Sequence, residues 1–105
     1  MNLKQLALEL GLEQDEFSEL LVIFIETSES DLLKIQEGIK NGEAEQVADA
    51  AHSIKGASAN LGFMDISSDA KRIEEEAHNN NLEDLVDNIN KIRERLALIS
   101  AALEG

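Results

Sequence analysis

Residues 82–103 read LEDLVDNINKIRERLALISAAL, and within them Leu82, Leu85, Ile89, Ile92, Leu96, Ile99 and Leu103 recur at steps of three or four. That spacing places all seven on one face of an α-helix and does not fit the two-residue alternation of a strand. Asn81 stands where a cap is needed, with Asp84 at the third helical position to complete it. Working back along the chain, the same period returns three more times. A segment from about Asp65 to His78 carries Ile66, Ala70, Ile73 and Ala77, and the run Asn79-Asn80-Asn81 interrupts it. Before it, Val47, Ala51, Ile54, Ser58 and Leu61 mark a helix over about 43–61 that Gly62 ends. A longer one, about 15–40, uses Phe17, Leu21, Phe24, Ser28, Leu32, Ile35 and Ile39 and stops at Asn41-Gly42. A short first helix over residues 2–10 aligns Leu3, Leu6 and Leu10, with Asn2 as its cap and Gly11 as its end. Four amphipathic helices joined by short turns predict an all-α, antiparallel up-down-up-down four-helix bundle, with the short N-terminal helix covering one end. The segments follow one another without a linker or repeat, so residues 1–105 read as a single domain.

Composition agrees with that class and narrows the function. The chain has no Pro and no Cys, and its only aromatic residues are three Phe, a usage that suits uninterrupted helices better than a sheet. Its 9 basic and 22 acidic side chains give a formal net charge of −13. Affinity for a nucleic-acid backbone needs clustered Lys and Arg, and anionic membranes select the same sign, so both partner classes are disfavoured. Without Cys there is no disulfide framework and no thiolate chemistry. With no signal-peptide pattern or apolar span either, a cytoplasmic location is expected.

The candidate chemistry lies on the third helix. At about 100° per residue, its core positions centre roughly 140° from His52, so the imidazole is expected to face solvent. Ala48, Lys55, Gly56 and Ala59 lie on the same stripe, the first three one turn to either side and Ala59 a turn further. Gly56 is costly in a helix interior, by about 1 kcal/mol against Ala, and a bare backbone beside a projecting ring allows a large partner to come close. A neutral imidazole is a competent nucleophile near neutral pH, and Lys55 can offset charge on a group attached to it. His78, at a helix end beside three Asn, is read as a partner of exposed carbonyls or of the helix dipole. Ser58 is read as a small residue at a helix crossing, and Phe63 as a staple at the bundle end. Ser53, Ser67 and Ser68 have no evident activating neighbour.

The string Ala51-His52-Ser53-Ile54-Lys55-Gly56-Ala57-Ser58-Ala59-Asn60-Leu61-Gly62-Phe63 closely resembles the signature of histidine phosphotransfer (HPt) domains. In that signature a helix carries His-x-[hydrophobic]-Lys-Gly-x-[small] and closes on an apolar-Gly pair. The preceding Asn41-Gly42-Glu43-Ala44 turn and the following helical hairpin are similar in order and length, so the resemblance covers nearly the whole chain. It implies a bundle that accepts a phosphoryl group from the aspartate of one receiver domain, or from a histidine kinase, and passes it to the aspartate of a response regulator. His52 would then be the phosphorylated residue and Lys55 the cation beside it. Glu74, at the family's spacing for a residue that holds one ring nitrogen, would orient the imidazole. An acid there resembles the histidine-bearing domain of chemotaxis kinases and departs from relay members that carry an amide. The resemblance implies no enzyme activity or cofactor of this chain's own, with a divalent metal expected on the receiver, and a monomer partnered by receiver domains and a sensor kinase. Docking would centre on Gly56, Ala48 and Ala59, with Asp49, Asn60 and Lys71 at the rim and Lys40 and Glu45 nearby. Lys55 and Lys71 would give this face a local potential opposite to that of the whole chain, which suits a receiver's acidic pocket.

Other readings carry different signatures. A helical adaptor docking through the same face without phosphate would keep its partner after loss of His52. A di-iron bundle would need two inward Glu-x-x-His pairs, and only Glu75-x-x-His78 has the spacing. Autophosphorylation from ATP would need a phosphate-binding loop, and the sequence has none. A free-standing protein and a domain of a larger kinase both fit the helical set, with the ending at Gly105 after a finished helix favouring the former.

Overall fold

A computed structural model describes all residues 1–105, and it is entirely helical. The helices are α1 (Leu3–Glu9), α2 (Gln14–Asn41), α3 (Ala44–Asn60), α4 (Met64–His78) and α5 (Val86–Glu104). Each packs against the next in sequence, and α2 also meets α5, so α2 to α5 close a ring of contacts around one core. That core is a cluster of 20 buried apolar residues, contributed by every helix. At about 1.5 Å per residue, the 28-residue α2 accounts for the 42 Å long axis of the molecule.

The stop signals act through a shared geometry. Beyond α3, Gly62 takes φ +84°, Phe63 N donates to Ser58 O at 2.9 Å and Gly62 N to Ala59 O at 3.1 Å. This 6→1, 5→2 pair satisfies orphaned carbonyls and folds α4 back toward α3. Beyond α4 the same pair forms from Asn81 N to Glu76 O at 2.8 Å and from Asn80 N to Ala77 O at 2.9 Å, with Asn80 at φ 57°. Phe63 then stacks on Phe24, ring centroids 5.7 Å apart, at the α3–α4 end.

Three expectations need correction. The last helix begins at Val86, not at Leu82, because Asp84 adopts φ 60° and interrupts the helical path. A short polar side chain tolerates that left-handed conformation, so Asp84 serves a turn instead of a cap. Asn81 accordingly spends its side chain on the turn, donating to Glu76 Oε2 at 2.5 Å and accepting from Glu83 N at 3.3 Å. In α1 the fully buried residue is Ala7, while Leu10 is exposed. The buried arc of α3 is also wider than a single stripe. Flanked by α2 on one side and α4 on the other, α3 buries Ala48 (3% exposed) and Ala50 as well as Val47, Ala51, Ile54 and Ser58, and leaves Leu61 half-buried. Ala48 is therefore core, not docking surface.

A polar network with no apolar periodicity fixes α5 on α4. Buried Asn88 donates to Asp69 Oδ1 at 2.9 Å and accepts from Arg72 Nη1 at 3.0 Å, while Arg95 Nη1 donates to Asp69 Oδ2 at 2.8 Å.

Candidate functional site around His52

The side chain of His52 is 68% exposed on the outer face of α3, as its helical phase requires. Its Nδ1 lies 2.8 Å from Glu74 Oε2, and Lys55 Nζ lies 2.6 Å from Glu74 Oε1. Glu74 reaches this position because Ile73 and Ala77 carry α4's core stripe, which turns residue 74 toward the α3 seam, with its side chain only 12% exposed. Ser67 Oγ donates to Lys55 O at 3.1 Å across the same seam, which ties α4 to α3 one helical turn from the histidine. Ser58 Oγ donates within α3 to Ile54 O at 2.6 Å, consistent with a small residue at a close crossing.

The electrostatics decide the tautomer. Burial pushes the Glu74 carboxyl up, but hydrogen bonds from Lys55 and His52 and the charges of both outweigh that cost and hold it below its ordinary value of 4.5. An ionised carboxylate only accepts hydrogen bonds, so the proton of a neutral His52 ring sits on Nδ1. The Nε2 lone pair is left free and directed away from Glu74. A ring nitrogen oriented in this way is a nucleophile with a fixed line of attack, and the acid behind it can stabilise an imidazolium as one forms.

The other named residues divide between those near the ring and those apart from it. Asp49, Gly56, Ala59 and Asn60 are exposed on the outer strip of α3. Lys55 is 31% exposed and engaged with Glu74, so in this state it neutralises the acid. Lys71 is exposed and lies 3.9 Å from Glu75 Oε1 on its own helix, not on the Glu74 cluster. Lys40 and Glu45 are exposed near the α2–α3 turn. His78 is the basic residue in the last turn of α4, as the dipole reading has it, and its Nε2 is also 3.7 Å from Glu74 Oε2, the oxygen that holds His52. Ser67, beside the site, and Asp31, on α2, are buried polar residues that apolar periodicity does not mark; Asp31 Oδ2 has no hydrogen-bond partner. Only the phase of Ser67 beside Glu74 on α4 could have pointed to it.

The family model described as the Hpt domain matches residues 19–102. The chain belongs to the Hpt domain family, whose members are phosphotransfer intermediates of two-component phosphorelays that interact with receiver domains and histidine kinases. Among solved structures, it is similar to the crystal structure of histidine-containing phosphotransfer protein B (HptB) from Pseudomonas aeruginosa PAO1. That match has 26% sequence identity and a TM-score of 0.82, and covers 99% of this chain and 90% of that one. No curated protein matches the chain. The Hpt fold and a histidine phosphotransfer role in a phosphorelay follow from these two matches. No helix is long and apolar enough to cross a membrane.

Proposed function

We propose that His52 is the residue that carries the phosphoryl group, received from the aspartate of a receiver domain or from a histidine kinase and delivered to the aspartate of a response regulator. The observation that carries this reading is an exposed imidazole whose Nδ1 is held at 2.8 Å by a part-buried, ionised Glu74. When the donor is a receiver's aspartyl phosphate, the Nε2 lone pair forms the N–P bond, and the P–O bond to the donor breaks with its electron pair left on the donor carboxylate. Delivery is the reverse, onto the acceptor's carboxylate. Glu74 keeps the Nδ1 proton in place and balances the positive ring that N–P bond formation creates. Lys55, one turn from His52, is the cation for the phosphoryl oxygens. The divalent metal and the acidic pocket belong to the receiver, so transfer rests here on positioning and charge.

The docking surface in this reading is the exposed strip Asp49, Gly56, Ala59 and Asn60, with Lys71, Lys40 and Glu45 at its rim. An antiparallel up-down-up-down order of α2 to α5 fits the ring of contacts and the short turns. The reading carries with it a single domain over residues 1–105, acting as a cytoplasmic monomer. To test it, the chain is mixed with a phosphorylated receiver domain and acid-labile, alkali-stable label is followed. Label is expected on the parent chain and absent from His52→Gln. Undiminished label in that variant refutes the assignment, and partner binding that survives without any label would point to an adaptor.

A further inference from the structure

Glu74 serves more partners than transfer by His52 requires. Oε2 faces His52 Nδ1 at 2.8 Å and His78 Nε2 at 3.7 Å, while Oε1 is taken by Lys55 Nζ at 2.6 Å. The two rings thus flank one oxygen, one bonded and one just beyond hydrogen-bond length. His78 stands one helical turn beyond Glu74 on α4. Its outer side borders a shallow depression lined by Ala44, Glu45, Ala48, Asp49 and Asn80, which leaves the ring room to move.

A phosphoryl group on His52 changes the demands on this cluster. Bond formation at Nε2 leaves a positive ring bearing a doubly negative phosphoryl group, and Lys55, bound to Glu74, is the cation within one turn of it. If Lys55 turns outward to those oxygens, it leaves a carboxylate that is only 12% exposed without the donor on its other oxygen. A part-buried acid that loses a charged donor must find another or loosen its hold on the ring. His78 is the donor at hand.

We propose that His78 is a positioning residue that relieves Lys55: when Lys55 moves from Glu74 to the phosphoryl oxygens, His78 closes the 3.7 Å gap and donates Nε2–H to Oε2. Glu74 then stays ionised and keeps the Nδ1 proton of the phosphorylated ring in place, the state from which the group departs most readily. Either charge state of the His78 ring can supply that N–H. The proposal rests on His52 being the phosphoryl carrier, so its test separates the two.

The full chain is phosphorylated with phosphoramidate, and long-range ¹H–¹⁵N spectra of the histidine rings are recorded before and after. An exchange-protected N–H on His78 Nε2 is expected only in the phosphorylated chain. Transfer to a receiver is expected to slow about tenfold in His78→Leu and to recover in His78→Gln, which keeps a donor, as fits the loss of one hydrogen bond to a charged group. A merely structural residue would not change its ring signals on phosphorylation, nor be rescued by an amide. Unchanged His78 signals, or transfer by His78→Leu at the parent rate, overturns the proposal. Failure to label His52 at all would instead overturn the carrier reading, and this inference with it.

Discussion

Gly56→Ala separates what the fold needs from what the surface needs. Gly56 sits inside α3 with ordinary helical geometry, and a Cβ built on it meets nothing within 4 Å. The fold therefore has no steric or conformational use for glycine here, and the helix gives up about 0.5–1 kcal/mol relative to Ala. Alanine should return that amount, raising the melting temperature by about 2–6 °C for a domain of this size. Calorimetry or circular-dichroism melts at pH 7 would read it directly. Transfer should respond in the opposite sense. The new methyl lies one turn past His52, where a partner must approach, so phosphoryl transfer from a receiver should fall although the protein is more stable. Gly56→Glu should lose transfer altogether while keeping its helical spectrum. A lower melting temperature in Gly56→Ala would show that the backbone needs glycine after all, and full transfer in Gly56→Glu would refute the close-approach argument.

Gly38 is the opposite case, because a Cβ there would meet Val47 Cγ2 at 2.7 Å and Glu43 O at 3.1 Å. Overpacking of about 1–3 kcal/mol outweighs the helix gain, so Gly38→Ala should lose about 1–2 kcal/mol in urea unfolding, and Val47→Ala in the same chain should restore part of it. Asn88→Leu strips partners from Asp69 and Arg72 and should destabilise by about 1–3 kcal/mol in the same assay despite the added apolar surface. Glu74 makes stability depend on pH. Its folded carboxyl is held below the ordinary value, so its contribution is complete above about pH 4.5 and disappears as pH falls through the lower folded value. Acid titration of the folded state should therefore show a shallower loss below pH 4.5 in Glu74→Gln than in the parent, and identical acid limbs would contradict the ion cluster.

The helices and their stops were legible because apolar period and left-handed turn residues are local properties. Gly11, Gly42 and Gly62 all take positive φ where the pattern breaks. His52 and Glu74 were legible in different ways, the first by helical phase and the second by family spacing, since no local rule links residues on two helices. What escaped depends on tertiary context. Ala48 read as surface on a single-stripe count, yet α3 is covered from two sides and buries it. Asp84 and Asn81 suited a cap in sequence, and only the backbone path shows that they build the turn before α5. Asn88 and Ser67 carry no apolar signal, so their buried roles are set by partners on other helices. His78 was legible as a helix-end residue, which it is, but its approach to Glu74 was not, because that depends on the rotamers of both side chains.

The pinning of α4 to α3 by Gly62 and by the Ser67 bond has a consequence for how such a chain can change. Every side chain in the reactive cluster comes from the one hairpin between Ala44 and His78, whereas α2 and α5 form the wall behind it. The reactive cluster and the wall that supports it are thus written in separate stretches of sequence. Substitutions on the outer faces of α2 and α5 can accumulate without disturbing the ring, its acid or its cation. Duplicated copies of this chain could thus drift apart in their supporting helices while the chemistry of the hairpin stays fixed.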